Sequence, residues 1–273
     1  MKNLKDKVAV VTGAGSGIGQ ATAIALAREG CHLALADIHQ PGIEATAGDV
    51  DGSGGKVSQH KVDVASREEM ERFVEEVIAH HDRVHIIVNN AGVSVFADFI
   101  EQSIEDIEWV LGINLWGVIY GCKFFLPHLV KEQEAHIVNI SSSAGFFPTP
   151  KMSGYTTSKF AVRGLSETIR TELAKHNVGV TSVHPGVIKT NIPHATKYQE
   201  KDRKKQEAGA AFFSRFGHSP EKAAHKIVKG IKNNSQRVLI GPEAYAFDML
   251  KRVFPVGSDY LNGKMSKMVE MEE

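Results

Sequence analysis

A doubly wound α/β fold, built on a seven-stranded parallel sheet with helices on both faces, is the architecture this sequence predicts. Short Val- and Ile-rich runs alternate with longer stretches of helical periodicity, and several runs lack the polar alternation of a half-exposed strand. A glycine-rich loop directly follows the first run. The 273 residues suffice for one sizeable domain spanning 1–273, and 42% hydrophobic with 23% charged residues is an ordinary globular balance.

The first strand, residues 8–11, leads into the loop Thr12-Gly13-Ala14-Gly15-Ser16-Gly17-Ile18-Gly19 and a helix at 18–29. A strand at 33–36 follows, then a stretch interrupted by Gly42, Gly48, Gly52, Gly54 and Gly55, in which only a short helix is expected. After a strand at 57–62, Ser66 with Glu69 forms a capping box for a helix at 67–79. Strands at 86–88, 137–140 and 180–183 alternate with helices at 104–130 and 154–175. Ser219 followed by Pro220 marks a cap and a first-turn proline for a helix at 221–232, ahead of a last strand at 238–240. The most apolar segment, 111–126, is shorter than a bilayer span and carries Asn114 and Lys123, so it reads as a buried helix and no transmembrane segment is expected.

Lys plus Arg and Asp plus Glu both number 32, which leaves no net field to recruit nucleic acid or an anionic membrane. Small molecules are the expected partners. Cys31 and Cys122 form neither a disulfide framework nor a metal-ligand spacing, and the first residues lack a secretory pattern, so the reading is cytoplasmic. His80 with His81, and His184 with His194, lack the carboxylate or thiolate partners of a closed site, and no metal is expected.

The loop after the first strand opens a helix, where backbone amides and the helix dipole hold a pyrophosphate. Its glycines follow G-x-x-x-G-x-G, because Ile18 stands where the commoner dinucleotide pattern needs glycine. Asp37 ends the second strand eighteen residues after Gly19, near the offset at which an acid receives the adenosine ribose hydroxyls. Its plainer reading is a strand-end cap. No Arg or Lys lies in the loop or immediately after Asp37, which favours NAD over NADP. Tyr155 and Lys159 share a helix face at i and i+4, and Tyr260 with Lys264 repeats that spacing near the C-terminus. Context separates the pairs: Ser142, in the hydroxyl cluster closing the 137–140 strand, lies thirteen residues before Tyr155, whereas Phe247 holds that offset from Tyr260.

Taken together, Thr12 to Gly19, the Asn-Asn-Ala-Gly element at 89–92, Asn114, Ser142 and the Tyr155/Lys159 pair resemble a short-chain dehydrogenase/reductase of the classical type over nearly the whole chain. The resemblance implies a Rossmann-type fold and an NAD-dependent oxidoreductase acting on a CH–OH group, an alcohol dehydrogenase in the broad sense. Asn114, Ser142, Tyr155 and Lys159 would be catalytic, with Tyr155 as acid/base, Ser142 holding the substrate oxygen and Asn114 positioning a relay water. Gly13, Ser16, Gly17, Ile18, Gly19 and Asp37 would hold the cofactor together with Asn90, Ala91 and Gly92. Asp63 and Val64 would face adenine, while Pro185, Gly186, Ile188 and Thr190 would meet the nicotinamide carboxamide. A lysine ammonium beside the phenol, with oxidised nicotinamide, is expected to lower the Tyr155 pKa from its ordinary value near ~10.

The resemblance also implies a substrate lid over 191–218, a C-terminal extension over 242–273 and a homo-oligomer, tetramer or dimer, built on the helices of Asn114 and Tyr155. Val93, Val95, Phe96, Phe146, Phe147, Val187, Ile188, Phe212 and Phe213 read as an apolar wall, which suits a hydrophobic secondary alcohol or ketone, though each also reads as core. Two rival readings remain: an NADPH-dependent carbonyl reductase, against which Asp37 argues, and a non-catalytic dinucleotide-binding protein, which would need no Asn114, Ser142, Tyr155 and Lys159 set.

Overall fold

A computed structural model describes residues 1–198, 203–258, 260 and 263. Residues 199–202 of the 191–218 segment, Lys264 and most of the stretch beyond 258 lie outside the described residues. The chain opens with β1 (Val8–Thr12), α1 (Gly17–Arg28), β2 (His32–Asp37), α2 (Gln40–Val50), β3 (Val57–Lys61), α3 (Arg67–His81) and β4 (Ile86–Asn89). A short β5 (Ser94–Phe96) precedes α4 (Ile104–Leu111) and α5 (Gly117–Leu129), followed by β6 (Ala135–Ile140), α6 (Ser153–Leu173) and β7 (Val178–Pro185). The last elements are β8 (Thr196–Tyr198), α7 (Arg203–Phe216), α8 (Pro220–Lys232), β9 (Arg237–Ile240) and α9 (Pro242–Val253).

Seven strands form one parallel sheet in the order β3-β2-β1-β4-β6-β7-β9. Every residue of β1, β4 and β6 is buried, because helices cover both faces. One face packs Leu26 of α1, Ile43 of α2 and Ile227 of α8 against the sheet, the other Phe73 of α3, Phe125 of α5 and Val162 of α6. Strand order reverses between β1 and β4, and that reversal opens a crevice beyond the carboxyl ends of the strands.

Several elements differ from the sequence reading. The second crossover is a full helix, α2, since Pro41 lies in its first turn, Thr46 Oγ1 donates to Ala14 O at 2.8 Å, and Gly42 packs against Gly15. The expected helix over 104–130 is a run of 26 residues, Ile104–Leu129, interrupted by a π-helical turn, Gly112–Trp116. By length and composition that run matches a membrane span, longer than the segment the sequence singled out. Val118, Cys122, Phe125 and Leu129 nevertheless cover the sheet, as in a core helix. Finally, β5 and β8 pair as a separate two-stranded sheet that joins the start of the 191–218 segment to the loop after Asn89.

Candidate active site

The glycine loop leaves β1 through Gly13, at φ +64, and enters α1 through Gly17, at φ +56, conformations that favour glycine. A Cβ on Gly13 would lie 2.7 Å from Asn90 Nδ2 and 2.9 Å from Ala91 Cα, and one on Gly19 would overlap Gly13 O. The contact glycine is therefore Gly19, one position after Ile18, and the shifted motif serves the same close packing. Asn90 Nδ2 donates to Thr12 O at 3.0 Å and Gly13 O at 3.2 Å, while Thr12 Oγ1 accepts from the N–H groups of Asn90 and Ala91. These bonds staple the loop after β4 to the loop after β1. Ser16, the N-cap of α1, makes no side-chain cap bond, so the helix keeps uncapped amides facing the crevice. Ser16, Gly17 and Thr190 line a common cavity of about 530 Å³.

Asp37 ends β2 with both carboxylate oxygens engaged: Oδ2 accepts from Gly15 N–H and Oδ1 from His39 N–H, each at 2.9 Å. The plain capping role is thus present, and it also ties the acid to the glycine loop. After β3, Asp63 N–H donates to Glu69 Oε2 at 2.8 Å, and the Val64 side chain is buried against Gly117. Of this pair only Asp63 is left half-buried at the surface.

Tyr155, Lys159 and Ser142 converge beyond β6. Lys159 is 4% exposed, its Nζ donating to Ile140 O at 3.1 Å and lying 5.4 Å from the Tyr155 ring centroid. Gly92 sits between the parts of the site, since a Cβ there would lie 3.4 Å from Asn114 Oδ1 and 3.6 Å from Lys159 Nζ. Asn114 occupies the π-helical turn, fully buried. Its Oδ1 accepts from Val93 N–H at 2.9 Å, and its Nδ2 donates to Val93 O at 2.9 Å and Ser158 Oγ at 3.2 Å. The Asn114 side chain therefore serves first as a clamp on the loop after β4. Pro185 ends β7, and Gly186, Ile188 and Thr190 follow it, with Ile188 buried and paired to His218.

Within the chain, burial pushes the Tyr155 phenol up, and the opposing influence is a hydrogen bond from Ser142; the expected lowering drew on oxidised nicotinamide as well as the lysine. Lys159 is itself lowered to about 8 by burial.

Of the apolar wall, Val95, Phe146, Phe147 and Ile188 are core, Val93, Phe96, Val187 and Phe213 are half-buried, and Phe212 is exposed. The sequence reading weighed His184 only as a metal ligand and missed its place beside the site. Fully buried, it bonds Ser142 O through Nδ1 and Ser182 Oγ through Nε2, both at 2.9 Å. Its position directly before Pro185-Gly186 was the available signal. Among the described residues, no three His, Cys, Asp or Glu side chains gather as a metal site.

A parallel sheet with a glycine cradle at its switch point and a Tyr/Lys/Ser cluster beyond β6 defines a Rossmann-like oxidoreductase scaffold. The short chain dehydrogenase family model matches residues 7–201, and the chain belongs to that family, the short-chain dehydrogenases/reductases. It is 42% identical over 264 residues to an oxidoreductase named SadH from Mycobacterium tuberculosis, covering 95% of this chain and 94% of the relative. It is 34% identical to the 3-oxoacyl-[acyl-carrier-protein] reductase FabG of Thermotoga maritima, over 82% of this chain and 90% of that protein. A crystal structure of a short-chain dehydrogenase/reductase from Burkholderia phymatum in complex with NAD superposes with a TM-score of 0.86 at 29% identity, covering 92% of this chain and 95% of that one.

Proposed function

We propose that this chain is an NAD-dependent oxidoreductase that moves a hydride between nicotinamide and a secondary alcohol or ketone of hydrophobic character, with Tyr155 as acid/base. The observation that carries the proposal is the meeting of Tyr155, Ser142 and Lys159 beyond β6, beside a glycine cradle too tight for any Cβ at Gly13 or Gly19. Positive-φ glycines and the uncapped amides of α1 suit a dinucleotide's pyrophosphate. Two of the similar solved structures described as short-chain dehydrogenases hold NAD.

When bound, the nicotinamide supplies or accepts the hydride and, oxidised, carries a positive charge. The chain's own residues handle the proton. Burial keeps the Tyr155 phenol protonated, the form that donates to a developing alkoxide when a ketone is reduced. In the opposite direction the phenolate takes the alcohol proton, favoured by whatever positive charge lies beside it. The Ser142 hydroxyl, on the same phenol, holds the substrate oxygen and stabilises charge developing there. Lys159, partly deprotonated near pH 8, is the group able to pass a proton onward, and Asn114 holds the neighbouring loop in place. The same reading carries a homo-oligomer through the outward faces of α5 and α6, where Tyr120 and Phe124 of α5 continue an aromatic row from Trp116 of the π-helical turn and Phe160 is exposed.

The test is Tyr155→Phe assayed with NAD and a panel of secondary alcohols. The variant is expected to bind NADH like wild type and to lose turnover by at least about a hundred-fold, the lower range for a general acid/base. Near-normal turnover would reject Tyr155 as the acid/base.

A further inference from the structure

Glu243 belongs to none of the motifs above, yet backbone from several parts of the site meets at its carboxylate. The β7–β9 ladder runs out here: Gly186 N–H donates to Ile240 O at 2.9 Å, the last residue of β9. The next donor, Val187 N–H, reaches Glu243 Oε1 at 2.8 Å. A side chain on the first turn of α9 thus supplies the acceptor for the first amide past the end of the ladder. Glu243 Oε2 lies 3.5 Å from His218 Nε2. The His218 backbone in turn brackets Ile188, its N–H donating to Val187 O and its carbonyl accepting from Lys189 N–H, each at 2.9 Å. A Cβ on Gly186 or on Gly241 would overlap the Glu243 carboxylate, so these glycines are spaces that the carboxylate fills. Behind it α9 is anchored, with Ala244 fully buried and Phe247 stacked on Phe147 at 4.6 Å.

We infer, resting on the dinucleotide reading above, that Glu243 is a positioning residue for the nicotinamide half of the cofactor site. It fixes the backbone from Val187 onward, from which Ile188 and Thr190 depart, and it joins that turn to the exit of the 191–218 segment. The plainer role for an acid in a helix's first turn is to offset the helix dipole. That role changes stability without distinguishing one half of a ligand from the other.

The experiment compares dissociation constants for NADH and for ADP-ribose, which keeps the adenosine and diphosphate but lacks the nicotinamide, alongside thermal midpoints. Glu243→Leu removes the acceptor, Glu243→Gln keeps one, and Gly186→Ala forces the carboxylate aside. E243L and G186A disturb the same contact from its two sides, and because Gly186 itself belongs to the proposed nicotinamide site, G186A is read against the G186A/E243A double variant. Both are expected to weaken NADH about ten-fold, the effect of losing a hydrogen bond to a charged group, while ADP-ribose stays within about two-fold. E243Q is expected to bind both ligands like wild type. In a double variant, G186A with E243A, the added methyl finds room, so its cost is smaller than in G186A alone. If E243L does not fold, G186A carries the same comparison. Equal weakening of both ligands, or none, overturns the role of Glu243 and leaves the dinucleotide reading standing. Wild-type protein that binds neither ligand overturns both.

Discussion

Asp37 shows how one side chain at a strand end serves two purposes that the sequence presents as alternatives. Its oxygens accept from Gly15 and His39, so the carboxylate both caps the entry to α2 and braces the glycine loop. Removing it outright would confuse these effects, whereas Asp37→Asn deletes the charge and keeps one acceptor, enough for Gly15 at the expense of the His39 bond. A fixed negative charge repels a 2′-phosphate. The ratio of NADPH to NADH dissociation constants is therefore expected to fall about ten-fold in Asp37→Asn, equivalent to about 1.4 kcal/mol. An unchanged ratio, read by nicotinamide fluorescence, would remove Asp37 from the basis of cofactor choice. Residues of this kind were legible in the sequence because strand ends and glycine spacing locate them. The direction of the Tyr155 shift was not legible, since it depends on burial and on a Ser142 contact that spacing alone cannot supply.

At the scale of elements, the helix run Ile104–Leu129 was legible as helix but not as a helix with a fault in it. A single π-helical turn adds too little to an apolar 3.6-residue pattern to be seen, yet it holds Asn114 where it reaches Val93. With Asn114→Ala, the Val93 N–H and carbonyl both lose their partner in a half-buried loop. Each orphaned group costs about 1–3 kcal/mol, so a loss on the order of 2–6 kcal/mol in urea unfolding is expected. Stability within about 0.5 kcal/mol of wild type would show that the clamp contributes nothing. The short β5 and β8 were illegible for a related reason: three residues carry no period, and their pairing joins segments about a hundred residues apart. The 242–253 helix was foreseen only as part of a C-terminal extension over 242–273, because what seats it is the contact of Glu243 with Val187 and of Phe247 with Phe147.

At the scale of the whole molecule, the seven-stranded sheet was the most legible feature, because strands buried on both faces read as unbroken apolar runs. That same burial places titratable groups where the sequence marks them only as polar. Burial lowers His81 and His184 to about 4 and His136 to about 3, against an ordinary histidine value near ~6.5. His136 bonds Thr181, His184 bonds Ser142 and Ser182, and His81 bonds Ser58, all without a carboxylate partner to favour the charged ring. Each folded-state pKa lies below its unfolded value, so the unfolded chain binds more protons throughout the interval between them. The contribution of these histidines is whole above about 6.5 and declines as pH falls toward their folded values. The urea midpoint is therefore expected to drop steadily from about pH 6.5 to about pH 4, before most carboxylates titrate. His184→Asn, which keeps a donor toward Ser142 O without a titratable ring, should flatten that decline by up to one proton's share. A midpoint that stays level across this interval would mean that the buried rings take up protons in place, and the reading of His184 as a neutral brace behind Ser142 would have to be given up.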